Sequence, residues 1–279
     1  MKKFFIGAGI FLSTFAMIPT HAAEDNSIAK YTQILLRNPN NSEAHNNLGA
    51  AYHKQGKYAE ALAQYEKAVE LNPSDSVAMN NLGAVNIDMG IANKNNGKFD
   101  AAKYYFSNAL KYLNRAVEIK SDYAKAFVNL GRVHTFMENY QQAVESFTRA
   151  INLGNLTADT FASRGAAYLL LDNFDMAFAD SNKALAIDDK NALAYNNRGS
   201  VYLNRKDYDS AINDFTKSIE FGSKNNTLIA AYTNRGVCYY RKKDYDRAIA
   251  DYTSALSLNQ NFQDAIQNMQ AAYEAKAGK

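Results

Sequence analysis

Apolar residues recur along the chain in short paired runs with helical spacing. Ala44, Leu48, Ala51 and Tyr52 stand at i, i+4, i+7 and i+8, one face of a helix. Gln55-Gly56-Lys57 interrupts that face. A second stripe follows in Tyr58, Ala61, Leu62, Tyr65, Ala68, Val69 and Leu71, and Asn72-Pro73 ends it. The pattern predicts two short helices joined by a tight turn. Neither can bury its apolar side alone, whereas stacked copies can, which predicts a solenoid.

The unit repeats. Gly49 to Gly83, Gly131 to Gly165 and Gly165 to Gly199 are each 34 residues apart. Gly199 to Gly236 spans 37, with the extra three expected in a polar turn at Lys224-Asn225-Asn226-Thr227. Gly83 to Gly131 spans 48 and so carries a 14-residue insertion. Phe99, Ala102, Phe106, Ala109, Leu113 and Ala116 keep helical spacing through it. The insertion therefore reads as seven extra residues in each helix around a polar tip, Asn93 to Gly97, projecting roughly 10 Å at about 1.5 Å per residue. The alternative is an unstructured loop after Met89, although loops of that length are uncommon. Tyr104, Tyr105 and Tyr112 make this hairpin a candidate contact surface.

These units resemble the tetratricopeptide repeat (TPR) family. The first supplies Leu48-Gly49, Tyr52, Ala61, Tyr65, Ala68 and Pro73. The fifth supplies Tyr195, Gly199, Tyr202, Ala211 and Phe215, and the sixth Tyr232, Gly236, Tyr239, Ala248, Tyr252 and Ala255. Departures are modest. His45 and Met79 replace the first aromatic, and Arg replaces Leu before Gly165, Gly199 and Gly236. The resemblance implies an all-α, right-handed α-α superhelix, covering residues 42 to 262. The expected units are 42–75, 76–123 with the insertion, 124–157, 158–191, 192–228 and 229–262. An N-terminal half-repeat at 23–41 and a capping helix at 263–279 complete the chain. In the cap, Ala265, Ile266, Met269, Ala272 and Tyr273 are expected to face in, and Asp264, Gln267, Asn268, Gln270 and Glu274 to face solvent.

The first 22 residues have a different character. Lys2 and Lys3 precede an apolar run from Phe4 to Ile18, and Pro19-Thr20-His21-Ala22 closes it with small residues. This is the pattern of a secretory signal peptide cut after Ala22, and the run is shorter than the roughly 20 residues of a membrane span. No later segment is apolar enough to span. An exported protein, periplasmic or secreted, is expected.

Formal charge is +3 with acids and bases interspersed, so no electrostatic footprint for nucleic acid is present. One cysteine, Cys238, excludes an intramolecular disulfide and sits where other units carry Ala or Val, as a small buried hydrophobe would. His45 and His134 occupy aromatic places, and no His, Cys or carboxylate group has zinc spacing. The Asp207-Tyr208-Asp209 and Asp244-Tyr245-Asp246 runs fall where second helices begin, favoured for Asp by the helix dipole, and lack the further ligands of a calcium loop. No catalytic arrangement, metal or cofactor is expected.

Binding remains. An Asn stands two residues before the Gly in five of six units: Asn47, Asn81, Asn129, Asn197 and Asn234, with Ser163 in the fourth. At 100° per residue this place points about 200° from the glycine, free of the packing face. An amide carries both donor and acceptor and can pair with both groups of a peptide bond. Helix interiors disfavour Asn, so its recurrence needs a reason. The resemblance implies one, since similar Asn ladders line the peptide groove of O-linked N-acetylglucosamine transferases. The competing explanation is that these amides solvate the groove or bond the adjacent unit. A carboxylate clamp of the co-chaperone kind is not matched, because Asn46, Ala50 and Asn129 stand where its Lys, Asn and Arg are needed. Ala50, Ala84, Ala166, Leu169 and Leu203 are expected to give the groove a partly apolar surface. The chain thus reads as a non-enzymatic scaffold holding an extended segment of a protein partner, in cell-envelope assembly by family analogy. Its rivals are self-association through the solenoid ends or the long hairpin, and a host-directed secreted role.

Overall fold

A single residue in the left-handed region closes each first helix and lets the chain double back. That residue is Gly56 or Gly97 in the first two hairpins, at φ of 72° and 73°. Glu138, Asp172, Lys206 and Lys243 hold the same place in the other four, at φ of 56–64°. The computed structural model describes residues 26–222 and 226–278, and every regular element among them is an α-helix. The expected signal segment lies outside the described residues.

The described residues form two compact units, 26–155 and 156–278. The first contains α1 (Ser27–Arg37), α2 (Ser42–Lys54), α3 (Tyr58–Leu71), α4 (Ser76–Asn95), α5 (Phe99–Ile119), α6 (Ala124–Phe136) and α7 (Tyr140–Asn152). The second contains α8 (Ala158–Leu170), α9 (Phe174–Ile187), α10 (Ala192–Asn204), α11 (Tyr208–Phe221), α12 (Asn226–Arg241), α13 (Tyr245–Leu258) and α14 (Gln263–Ala277). Successive helices within a unit pair as antiparallel neighbours. First helices also touch the next first helix, α2 to α4 to α6 and α8 to α10 to α12 to α14, while second helices of neighbouring hairpins do not meet. Each unit therefore curves with its first helices on the inner side, an α-α solenoid.

Caps set the helix starts. Asn41 accepts from the Ala44 amide at 2.9 Å, Asp75 from Val77 and Ala78 at 2.8 and 3.1 Å, and Asn191 from Ala194 at 2.9 Å. Asp207 and Asp244 cap α11 and α13 in the same way, accepting from Ser210 and Arg247. Such caps contribute about 1 kcal/mol each.

Inside five of the six hairpins the repeated Gly packs against a large side chain on the second helix, the exception being Gly165 in the fourth. Gly49 faces Tyr65, Gly131 faces Phe147, Gly199 faces Phe215 and Gly236 faces Tyr252. In the long hairpin α4 has 20 residues and α5 has 21, against 13 and 14 in the first hairpin, so the insertion is helical on both sides. It adds one more layer of the same contact: Gly83 faces Leu113, and Gly90, seven residues on, faces Phe106. Phe106 stacks on Phe136 of α6 with centroids 5.6 Å apart. Tyr112 packs on the core of Ala61, Tyr65, Leu82 and Val85, whereas Phe99 and Tyr104 stay exposed.

Three details differ from the sequence reading. The second half of the turn expected at 224–227 is helical: α12 has 16 residues and begins at Asn226, and Thr227 is buried, while Lys224 and Asn225 lie outside the described residues. In α14, Ala265 and Ala272 pack inward as expected, but Asn268 is also buried and Tyr273 is exposed. Asn268 sits 34 residues after Asn234, so α14 continues the first-helix register with its amide on the inner seam. Leu169, Leu203 and Ala166 are buried, which leaves Ala50 and Ala84 as the accessible apolar inner residues among the five expected.

Candidate functional site

The Asn ladder divides between the two units. In residues 26–155 Asn47, Asn81 and Asn129 are half-buried on the inner side of α2, α4 and α6. Asn81 Nδ2 donates to Asn46 Oδ1 at 3.0 Å, and Asn129 Nδ2 to Asn80 Oδ1 at 2.9 Å. Asn80 Nδ2 in turn donates to Asn81 Oδ1 at 3.3 Å. Each of these rungs is tied to the residue just before the rung in the preceding hairpin. Asn197 follows the same rule, with Nδ2 donating to the Ala162 carbonyl at 2.8 Å. Bonding to the adjacent unit is therefore one use of the amides at Asn81, Asn129 and Asn197. Asn47 makes no such bond.

In residues 156–278 the rungs are not presented to solvent. Asn197 is 0% exposed, Asn234 1%, and Ser163, in the same place, 8%. The 200° argument located these residues off the glycine face but ignored the neighbouring first helix, which covers the seam where successive first helices touch.

A charged cluster unites the three inner helices of the first unit. Asp88 Oδ2 accepts from His53 Nε2 at 2.8 Å, and Asp88 Oδ1 from Arg132 Nη2 at 3.1 Å. Arg132 Nη1 also donates to Asn129 Oδ1 at 3.1 Å, joining this cluster to the ladder. Burial alone would raise the Asp88 carboxyl, but the His53 bond and the Arg132 charge outweigh it and hold the group below the usual carboxylate range. A depressed native value means Asp88 contributes stability that is full above the unfolded carboxylate range and lost as pH falls through its native value. The stability difference between the native protein and Asp88→Asn should thus shrink on acidification below about pH 4, read by urea midpoints across pH. A constant difference would show that the carboxylate charge contributes nothing.

The Arg residues before Gly165, Gly199 and Gly236 have a precise use. Arg164 Nε and Nη2 donate to Asp180 at 2.7 and 2.8 Å. Arg198 reaches Asp214 at 2.7 and 2.9 Å, and Arg235 reaches Asp251 at 2.8 and 2.7 Å. Each guanidinium also lies over the first aromatic of its unit, Phe161, Tyr195 or Tyr232, at 5.5–5.8 Å. The Asp214 and Asp251 bonds hold the Arg198 and Arg235 guanidinium groups above their usual range despite burial. Arg198 donates further to Asn182 and Arg235 to Thr216 on the second helix of the preceding hairpin, so these residues staple hairpins together. All three Asp residues stand 16 positions after their Arg, a spacing visible in the sequence but legible only once the helix pairing is known.

Other titratable groups behave as packing. Cys238 is fully buried, and burial pushes its thiol up to about 12, which keeps it protonated and inert. Burial lowers His134. His45 does more than fill an aromatic place, since its ring lies 2.8 Å from Gln64 Oε1 and 2.9 Å from the Pro39 carbonyl. Among the described residues no group of three or more His, Cys, Asp or Glu could hold a metal ion, and no helix is long and apolar enough to cross a membrane.

Comparison with known proteins agrees with this geometry. One family model described as Tetratricopeptide repeat matches residues 42–75, 192–225 and 229–262, and a second of the same description matches 124–153. The chain thus carries tetratricopeptide repeats. No curated protein matches it. Among solved structures, the APC/C hetero-tetramer Cut9-Hcn1 is similar with a TM-score of 0.73 at 18% identity, over 89% of this chain and 46% of that one. This chain therefore spans less than half of that relative. Pseudomonas aeruginosa PilF gives 0.61 at 18% identity over 82% and 96% of the two chains. YrrB, a TPR protein with an unusual peptide-binding site, gives 0.50 at 21% identity over 74% and 97%. At these identities the likeness is one of fold.

Proposed function

We propose that the protein is an exported, non-catalytic scaffold that holds an extended segment of a protein partner along the inner side of its first helices. The observation that carries this reading is the row Asn47, Asn81 and Asn129. These amides are half-buried on three successive inner helices, with accessible Ala50 and Ala84 beside them. Among the described residues the Asn47 side chain has no hydrogen-bond partner, and each amide keeps at least one donor and one acceptor for a passing backbone. A peptide-binding site in the similar YrrB structure supports the class of ligand. The signal-like residues Lys2 to Ala22 support export, and the periplasm with a part in cell-envelope assembly is the setting we favour.

A photo-reactive benzoylphenylalanine at Ala50 or Ala84 should cross-link the partner in cells, and mass spectrometry of the adduct names it. Affinity for that partner should then fall about tenfold or more in a combined Asn47→Ala, Asn81→Ala, Asn129→Ala variant, roughly 0.5–1.5 kcal/mol per lost hydrogen bond. Helicity should be retained. Unchanged affinity would remove the ladder from the binding site.

A further inference from the structure

The second helix of every hairpin opens on an aromatic residue. Tyr58, Tyr140, Phe174, Tyr208 and Tyr245 hold that place in the five hairpins of ordinary length, and each is half-buried. In the long hairpin the place is held by Phe99, which is 67% exposed. Packing does not demand an aromatic there. Phe106, seven residues on, is buried and stacks on Phe136 of α6, as an opening aromatic would in a hairpin of ordinary length. The seven residues added to each of α4 and α5 carry Phe99 about 10 Å past the neighbouring turns, at about 1.5 Å per residue. Tyr104, further along α5, is 63% exposed and sets its ring edge on Tyr105 at 5.4 Å.

The same tip is basic. Between Met89 and Tyr105 stand Lys94, Lys98 and Lys103 against a single acid, Asp100, which sits in the first turn of α5 where the helix dipole favours it. Lys98 and Lys103 are exposed and make no ion pair among the described residues, and Lys94 reaches only Glu138, at 4.0 Å. The turns of the last four hairpins each carry an acid instead: Glu138, Asp172, Asp207 and Asp244. Phe99 and Tyr104 together expose roughly 300 Å² at most, taking about 150–250 Å² for a whole aromatic side chain. A stable protein interface takes roughly 800 Å² per partner, and it would also need a pocket shaped to a ring on a projecting turn. A bilayer needs no such pocket. Its interface takes up aromatic rings at headgroup depth, and anionic lipid attracts the lysines beside them.

We infer that the tip of the α4–α5 hairpin docks on a bilayer containing anionic phospholipid, with the Phe99 ring in the headgroup region and Lys94, Lys98 and Lys103 against lipid phosphate. This goes beyond the scaffold reading and does not depend on it. Asn81 stands 14 residues before Asn95 on α4, about 20 Å back at 1.5 Å per residue, so a docked tip leaves the row Asn47, Asn81 and Asn129 open. The association is reversible and sensitive to salt. Each lysine contributes about fivefold at an anionic surface, and at about 1 M salt that attraction is screened within about 3 Å.

The chain has no tryptophan, so Phe99→Trp places a single reporter on the tip. With the mature chain, residues 23–279, its emission should move to shorter wavelength on adding vesicles of phosphatidylcholine with phosphatidylglycerol. Vesicles of phosphatidylcholine alone should leave it unchanged. In co-sedimentation with the anionic vesicles, Phe99→Ser should weaken binding at least tenfold, the worth of burying such a ring. A combined Lys94→Gln, Lys98→Gln, Lys103→Gln variant should also lose at least tenfold. Both variants should melt with the parent chain, because the replaced side chains lie on the projecting tip. An unshifted emission with anionic vesicles overturns the inference, even if the protein sediments with them, since another surface would then be the one that binds. Equal binding to phosphatidylcholine alone, or full binding by either variant, overturns it too. A shift produced by a protein partner and not by vesicles would make the tip a protein contact instead.

Discussion

Asp180→Ala should destabilise residues 156–278 by about 3–5 kcal/mol, the range for removing one partner of a buried ion pair. The Arg164 side chain is 10% exposed and that of Asp180 1%. Without the carboxylate, the guanidinium keeps its charge, loses two short hydrogen bonds and stays largely buried. The loss arises from a buried charge that has lost its carboxylate and not from an exceptional worth of the pair. Replacing both residues should therefore restore most of the stability. The first unit supplies the template, because its hairpins carry Leu48 with Gln64 and Leu130 with Ser146 at the equivalent places. Arg164→Leu combined with Asp180→Ser is expected to lie within about 1.5 kcal/mol of the native protein, as volume-conserving apolar replacements do. Urea titrations of the three proteins check this. A single variant as stable as the double would mean that Arg164 escapes to solvent.

Gly131→Ala and Gly165→Ala should move stability in opposite directions. A Cβ on Gly131 would come within 2.6 Å of the Phe147 ring, which is itself 0% exposed and closed in by neighbours. Overpacking of that kind costs about 1–3 kcal/mol. Gly165 has no ring or large apolar side chain opposite it, and an added Cβ there would meet the Ala177 carbonyl oxygen and Asp180 Cβ, both at 3.4 Å. There the helix preference for Ala over Gly prevails, about 0.8–1 kcal/mol less any small shift the neighbours must make. Thermal melts of both variants decide the matter. Destabilisation by both would show that the fourth hairpin is packed as tightly as the third.

Much of the fold was legible because each repeat states its own packing. The 34-residue spacing of Gly, the aromatic on the second helix and the turn residues each reflect contacts within one hairpin or with the next. The long hairpin was readable for the same reason, since Phe99, Phe106 and Leu113 hold helical register across the insertion. Gly90 against Phe106 repeats the Gly83–Leu113 contact seven residues on. The candidate site was less legible. Asn47 is accessible as the wheel argument required, but Asn197 and Asn234 are buried, because a wheel describes one helix and the seam belongs to two. His53, Asp88 and Arg132 come together from three inequivalent repeat places, 35 and 44 residues apart in the bonded pairs, so periodicity gave no sign of them.

By itself the sequence determined the helices, their order, the repeat and the place where polar amides would recur, all consequences of local spacing. Only the tertiary structure decided which amides are bonded, which are exposed and which are buried. It also showed that the three arginines replacing leucine are neutralised in pairs. Those outcomes depend on how closely one first helix approaches the next, a distance set by side chains 34 or more residues away.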